Sequence, residues 1–159
     1  MKKLNLGLLA MTGLLLSHSA NAITVTGNAT AIIKRNITAT ETQQMNFGTI
    51  STSGTAGTVT LSPAGARSST LAYYGTSKAG VFTITGEPST ALTVSFGNGT
   101  LSNGANTMAL TNFTTSSTPA STTTDSSGNL TLNVGADLAV AANQASGTYT
   151  GTYTVTISY

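Results

Sequence analysis

The chain contains no cysteine and no tryptophan, one histidine and three prolines in 159 residues, and only 6 % of it is charged. Soluble domains usually carry about a quarter charged residues, so this surface must be made of something else. Threonine supplies it, at about one residue in five. Without cysteine there is no thiolate nucleophile, no iron–sulfur ligation and no disulfide framework. Few prolines, little charge and many β-branched residues leave a chain that favours strands.

The N-terminus accounts for the histidine and the apparent basicity. Met1-Lys2-Lys3, the apolar run Leu4–Leu16 and the small-residue exit Ala20-Asn21-Ala22 have the layout of a secretory signal peptide, residues 1–22. The run is shorter than the roughly 20 residues of a membrane span. Cleavage after Ala22 removes His18 and leaves a chain, from Ile23 on, without a transmembrane segment. In that chain Lys34, Arg35, Arg67 and Lys78 balance Glu41, Glu87, Asp125 and Asp137, so the pI of 9.1 belongs to the leader. The expected location is the periplasm, and then the cell surface.

With neither imidazole nor thiol, Ser-His-Asp and Cys-His catalysis, His- or Cys-bound zinc and haem ligation are excluded. Four scattered acids offer no paired-carboxylate site. Counting leaves a Ser–Lys nucleophile open at Lys34 or Lys78, but no motif supports one. The expectation is a protein that is not an enzyme and takes no cofactor. A neutral chain also lacks the basic stripe that displaces counterions from phosphates, so nucleic acid is not an expected partner.

Period-two alternation runs through most of the remaining sequence. It is clear at Val81–Gly86, Leu92–Phe96 and Leu130–Val134, and shorter strands are expected at Asn46–Ile50, Thr58–Leu61, Leu71–Tyr74, Met108–Phe113 and Leu138–Ala141. Gly97-Asn98-Gly99 reads as a turn and Asp125–Asn129 as a hairpin turn. Thr114–Ser127 has almost nothing apolar and reads as a long exposed loop. Many half-buried strands in one small domain predict an all-β sandwich over residues 34–159.

Both ends of the expected mature chain alternate cleanly. Tyr149, Gly151, Tyr153, Val155, Ile157 and Tyr159 share one face of a C-terminal strand, with Thr148, Thr150, Thr152, Thr154, Thr156 and Ser158 on the other. At the N-terminus Ile23, Val25, Gly27, Ala29, Ala31 and Ile33 share a face, with Ile32 as the exception. This extension, residues 23–33, has the pattern of a strand for an apolar groove, with Gly27 admitting a close neighbour. Alternation does not say whether that groove lies in its own domain or in another copy.

Four runs occur in order: Met45-Asn46-Phe47-Gly48-Thr49-Ile50, Val81-Phe82-Thr83-Ile84-Thr85-Gly86, Val134-Gly135-Ala136-Asp137-Leu138, and Gly147 to Tyr159 with tyrosines at 149, 153 and 159. Together they resemble a family of small secreted Gram-negative proteins carried as a domain of unknown function. That family in turn is similar to the pilus subunits of alternative and archaic chaperone–usher systems. The resemblance implies an immunoglobulin-like, pilin-like β-sandwich with an N-terminal extension strand and an open groove beside its C-terminal strand. A periplasmic chaperone would lend a strand to the groove, and a neighbouring copy's extension would replace it at an outer-membrane usher. Ile23, Val25, Gly27, Ala29, Ala31 and Ile33 would be the inserted face. Tyr149 to Tyr159 would form the groove edge, with the Tyr159 carboxylate meeting basic residues of the chaperone. The implied product is a fimbria that supports adhesion or biofilm formation. A self-complete sandwich, pairing Ile23–Ile33 in its own sheet and acting as a monomeric secreted or periplasmic binding protein, is the alternative.

Overall fold

The structure, a computed structural model, describes residues 21–52, 54–116 and 122–159. The expected signal peptide lies outside them except for its last two residues, as does Pro119 of the Thr114–Ser127 segment. The chain divides after Ile32 into two units. Residues 21–32 of the first carry no strand and are exposed, with Ile23 at 85 % and Val25 at 82 %. The alternation of Ile23–Ile33 is thus not spent on a strand.

The second unit is all-β among its described residues, in ten strands: β1 (Thr38–Gln43), β2 (Thr49–Ser51), β3 (Gly57–Leu61), β4 (Arg67–Ser69), β5 (Ala72–Tyr74), β6 (Gly80–Thr85), β7 (Thr93–Asn103), β8 (Asn106–Thr115), β9 (Asn129–Val140) and β10 (Thr150–Ser158). Eight form one antiparallel sheet in the order β1-β6-β9-β8-β7-β10, with the β3–β4 hairpin branching from β9. The sheet curls into a sandwich-like fold. β2 and β5 make a separate two-stranded sheet.

β9 is the spine because its alternation is the longest that is fully buried. Leu132, Val134, Ala136, Leu138 and Val140 are all inside. One edge of β9 pairs first with β6 (Gly80↔Val134 to Thr85↔Asn129) and then with β3 (Leu61↔Ala136 to Gly57↔Val140); its other edge pairs with β8. Gly135 marks the change of partner. A side chain there would strike the Leu61 carbonyl oxygen and the Ser62 backbone, so only glycine lets the two strands meet.

Two apolar clusters form the core. Val59, Leu61, Leu110 and Leu138 are central to one, and Ile84, Leu92, Leu132 and Val134 make the other. Phe113 and Tyr153 pack against both, their rings 4.9 Å apart. Burying each large side chain contributes about 1.5–3 kcal/mol.

Three segments differ from the sequence expectation. Gly97-Asn98-Gly99 does not turn; β7 continues through it with a bulge opposite β10, where Thr154 faces Gly97 and Thr152 faces Thr100. The extra residue is absorbed because neither glycine has a side chain to pack. Leu130–Val134 and Leu138–Ala141 belong to one strand, β9, apart from Ala141. Within the expected exposed loop, Thr114 and Thr115 end β8, while Thr122 and Thr124 are buried. Their segment lies along Thr90–Leu92, with Leu92 N–H donating to the Thr122 carbonyl at 2.8 Å. Burial is tolerated at Thr124 because its hydroxyl donates to the Glu87 carbonyl and accepts from Thr90 N–H at 3.0 Å. The Asp125–Asn129 turn is closed by Asp125, whose carboxylate accepts from the Ser127 and Asn129 amides at 2.8 Å each.

Candidate functional site

β1 and β10 are the two ends of the strand order, each paired along one side only among the described residues. Their other sides border one open groove of about 540 Å³. Asn36, Ile37 and Ala39 line it from the β1 side, and Val155, Ile157, Ser158 and Tyr159 from the β10 side. The opposition of Ile37 to Tyr159 across it, with Ala39 and Val155 further along, makes β1 and β10 antiparallel walls.

The side chains follow from the pleat. Thr38, Thr40 and Thr42 of β1 and Thr150, Thr152, Thr154, Thr156 and Ser158 of β10 are all exposed. Tyr153, Val155 and Ile157 are half-buried, and Tyr153, Ile157 and Ile37 pack against the second core cluster. These side chains are too apolar for water, yet only partly covered. Unpaired strand edges flank them, with main-chain donors and acceptors available for pairing.

One end of the groove is closed by a clasp. Tyr159 Oη donates to the Arg35 carbonyl at 2.6 Å and accepts from Glu87 N–H at 2.8 Å. Arg35 N–H donates to Glu87 Oε2 at 2.9 Å, and Lys34 Nζ stands 4.6 Å from the centre of the Tyr159 ring. The approach to β1 is thereby tied to the β6–β7 connection, and two cations stand at that end.

At the other end Tyr153 reaches into the core. Its ring meets Phe82 edge-on, and its hydroxyl is buried against Gly80 with no hydrogen-bond partner among the described residues. Burial, and then the Glu41 carboxylate, push the Tyr153 hydroxyl up to about 12.

Of the six positions expected along the C-terminal strand, the groove unites Val155, Ile157 and Tyr159. Tyr153 belongs to the core as well as to the wall. Gly151 lies against Thr100 and Leu101 of β7, where a side chain would strike backbone. Tyr149 precedes β10, accepting from Gln144 and donating to the Ala145 carbonyl, each at 2.8 Å. Ile23, Val25, Gly27, Ala29 and Ala31 lie in the first unit, and Ile33, at the head of the second, is 92 % exposed. The β1 wall was missed by sequence reasoning, although Thr38, Thr40 and Thr42 alternate with Ile37, Ala39 and Glu41. Among the described residues no group of three or more acids or histidines is placed to hold a metal, and no helix is long and apolar enough to cross a membrane.

Residues 37–159 match the family model described as Domain of unknown function (DUF4402). The chain belongs to that family. The DUF4402 match holds both walls of the groove apart from Asn36, together with the Tyr159 side of the clasp, and begins after Lys34, Arg35 and the extension. No curated protein and no solved structure matches the chain.

Proposed function

We propose that this protein is the structural subunit of a cell-surface fibre in which each copy inserts its Ile23–Ile33 segment into the β1–β10 groove of a neighbour. The observation that carries the reading is the pairing of two unpaired edges over half-covered apolar side chains with an exposed, alternating apolar segment in the same chain. A strand of 11 residues extends about 36 Å and β10, at nine residues, about 30 Å, so the segment is long enough to fill the groove. Strand addition of this kind gains strength from main-chain hydrogen bonds and register from alternate side chains.

The inserted face would be Ile23, Val25, Gly27, Ala29, Ala31 and Ile33, set against Ile37, Ala39, Val155 and Ile157. Each larger side chain contributes about 1.5–3 kcal/mol, which association and ordering offset in part. Before assembly a periplasmic chaperone would cover the same groove, and an outer-membrane usher would exchange its strand for a subunit's. The fibre would serve adhesion or biofilm formation at the cell surface. The neutral, threonine-rich exterior suits such a fibre, since few charges are left for salt or pH to disturb.

The test is denaturing electrophoresis of the exported protein with and without boiling. Strand-linked copies give a ladder that collapses to one band on heating, and deleting Ile23–Ile33 abolishes it. A single band in both lanes from cells that express the native locus would sink the reading.

A further inference from the structure

The groove is not symmetric in charge. Lys34 and Arg35 stand at its Tyr159 end, two cations against the one Glu87 carboxylate that accepts from the Arg35 main chain. Toward the Tyr153 end stands Glu41, which leaves β1 on the core side: it lies opposite Phe82, as Ala39 lies opposite Ile84, and paired residues of antiparallel strands share a face. Its influence on the buried Tyr153 hydroxyl places it at that end. The Glu41 carboxylate makes no hydrogen bond or ion pair with any described residue. Arg35 is held by its main chain alone, and its guanidinium is likewise without a hydrogen bond or ion pair among the described residues. The Arg35 guanidinium and the Glu41 carboxylate, of opposite charge and each without a hydrogen bond or ion pair among the described residues, thus stand near opposite ends of one groove.

A strand laid between β1 and β10 would cover Glu41 beside an unpartnered hydroxyl. Removing water from a carboxylate without supplying a partner is costly, so the incoming segment must bring a cation or lose much of its gain. The extension carries one in phase. Ile23, Val25, Gly27, Ala29, Ala31 and Ile33 continue by the same period of two to Arg35, while Lys34 points the other way. With the segment antiparallel to β10, its Ile33 end reaches the Glu41 end of the acceptor. With the opposite polarity, the donor's Lys34 and Arg35 would meet the acceptor's Lys34 and Arg35.

We propose that Arg35 of one copy pairs with Glu41 of the next, and that this pair sets the polarity of the inserted strand. This rests on the strand-insertion reading above. The contact is head-to-tail, joining the clasp end of one copy to the Glu41 end of its neighbour, so it propagates into a filament and does not close a dimer. Arg35 and Glu41 then act as specificity-determining residues, since wrong polarity places like charges together.

The experiment compares the full exported chain with Arg35→Glu, Glu41→Arg and the variant carrying both, reading the lifetime of unboiled multimers in detergent. Each single substitution is expected to shorten that lifetime about tenfold or more, because losing one partner of a covered charge pair acts on dissociation. The double variant restores it to within about threefold, since the swapped charges attract again. Monomer melting, read in parallel, reports any effect of the swaps on the Glu87 clasp or beside Tyr153 separately from the multimer lifetime. Unaltered lifetimes in the singles, or a double variant no better than the worse single, overturn the pairing. Ala31→Asp separates this from failure of the underlying reading. Loss of multimers in Ala31→Asp alongside silent charge swaps leaves strand insertion standing and removes the pair; intact multimers in Ala31→Asp remove both.

Discussion

The Tyr159 hydroxyl donates to the Arg35 carbonyl at 2.6 Å, joining residues 124 apart in the chain. The same oxygen accepts from Glu87 N–H, so one hydroxyl links β10 to the approach of β1 and to the β6–β7 connection. Tyr159→Phe keeps the ring under Lys34 and removes both bonds. The bonds are exposed, which holds the cost to about 1 kcal/mol, or a melting temperature lower by about 4 °C. Thermal unfolding of the monomer checks this; an unchanged midpoint would mean that water replaces the hydroxyl without loss.

Glycine is required at the crossing of β9 and β3. Gly135→Ala forces a methyl group against the Leu61 carbonyl and the Ser62 backbone, neither of which can move without breaking the ladder. A loss of about 3 kcal/mol is expected, with poor recovery of folded protein. Gly27→Ala is the contrast: nothing lies within 4 Å of the added group, and monomer stability should not change. Urea titration of both variants separates them.

Tyr153 carries a buried hydroxyl that is satisfied by no described residue. Tyr153→Phe removes that group while keeping the ring packed against Phe113, so stability is expected to hold or rise by up to about 1 kcal/mol. The pH dependence has a definite sign. Folding lifts the Tyr153 hydroxyl from 10.0 to about 12, so above pH 10 the unfolded chain releases this proton first and native stability falls. Below pH 10 the contribution is fully present, and the fall levels off past about 12. Denaturant midpoints between pH 9 and 12 should decline less in Tyr153→Phe than in the parent.

Arg67 holds the small β2–β5 sheet to the main one. Its guanidinium donates to the carbonyls of Phe47, Tyr74 and Gly75 and lies 4.6 Å from the centre of the Tyr73 ring. Lysine cannot present that planar fork. Arg67→Lys should cost about 1–2 kcal/mol and increase amide exchange at Thr49–Ser51 and Ala72–Tyr74 before the rest of the molecule is affected. Uniform protection across those residues would count against the brace.

The all-β fold was legible because the strands that carry the core carry the pattern. Ile84, Leu132, Val134 and Leu138 are buried on one face while threonine and asparagine sit on the other, and a period of two follows directly. β1 was not legible by the same means. It is an edge strand whose inner face is Ala39 and Glu41, with Ile37 just before it, and a methyl group beside a carboxylate gives little apolar signal. The groove was hidden for a different reason: its walls come from opposite ends of the unit, and only the curl of the intervening sheet brings Ile37 to Tyr159. Thr122 and Thr124 escaped because their burial depends on hydrogen bonds to Glu87, Thr90 and Leu92 that no hydropathy pattern encodes. Gly97-Asn98-Gly99 has the composition of a turn, and the pairing of β10 with β7 across it is what makes it a bulge.

The order β1-β6-β9-β8-β7-β10 also bears on how the molecule is made. Of its ladders, β7 with β8 is the close hairpin, turning at Gly104-Ala105, whereas β1, β6 and β9 must find one another across long stretches of chain. Topologies dominated by such distant encounters fold on the order of milliseconds to seconds, because loop entropy is lost before contacts repay it. The two walls meet only after every strand between them has found its place. The groove is therefore the last feature to take shape, and until it does the chain holds unpaired strand edges, the surfaces through which partly folded copies associate.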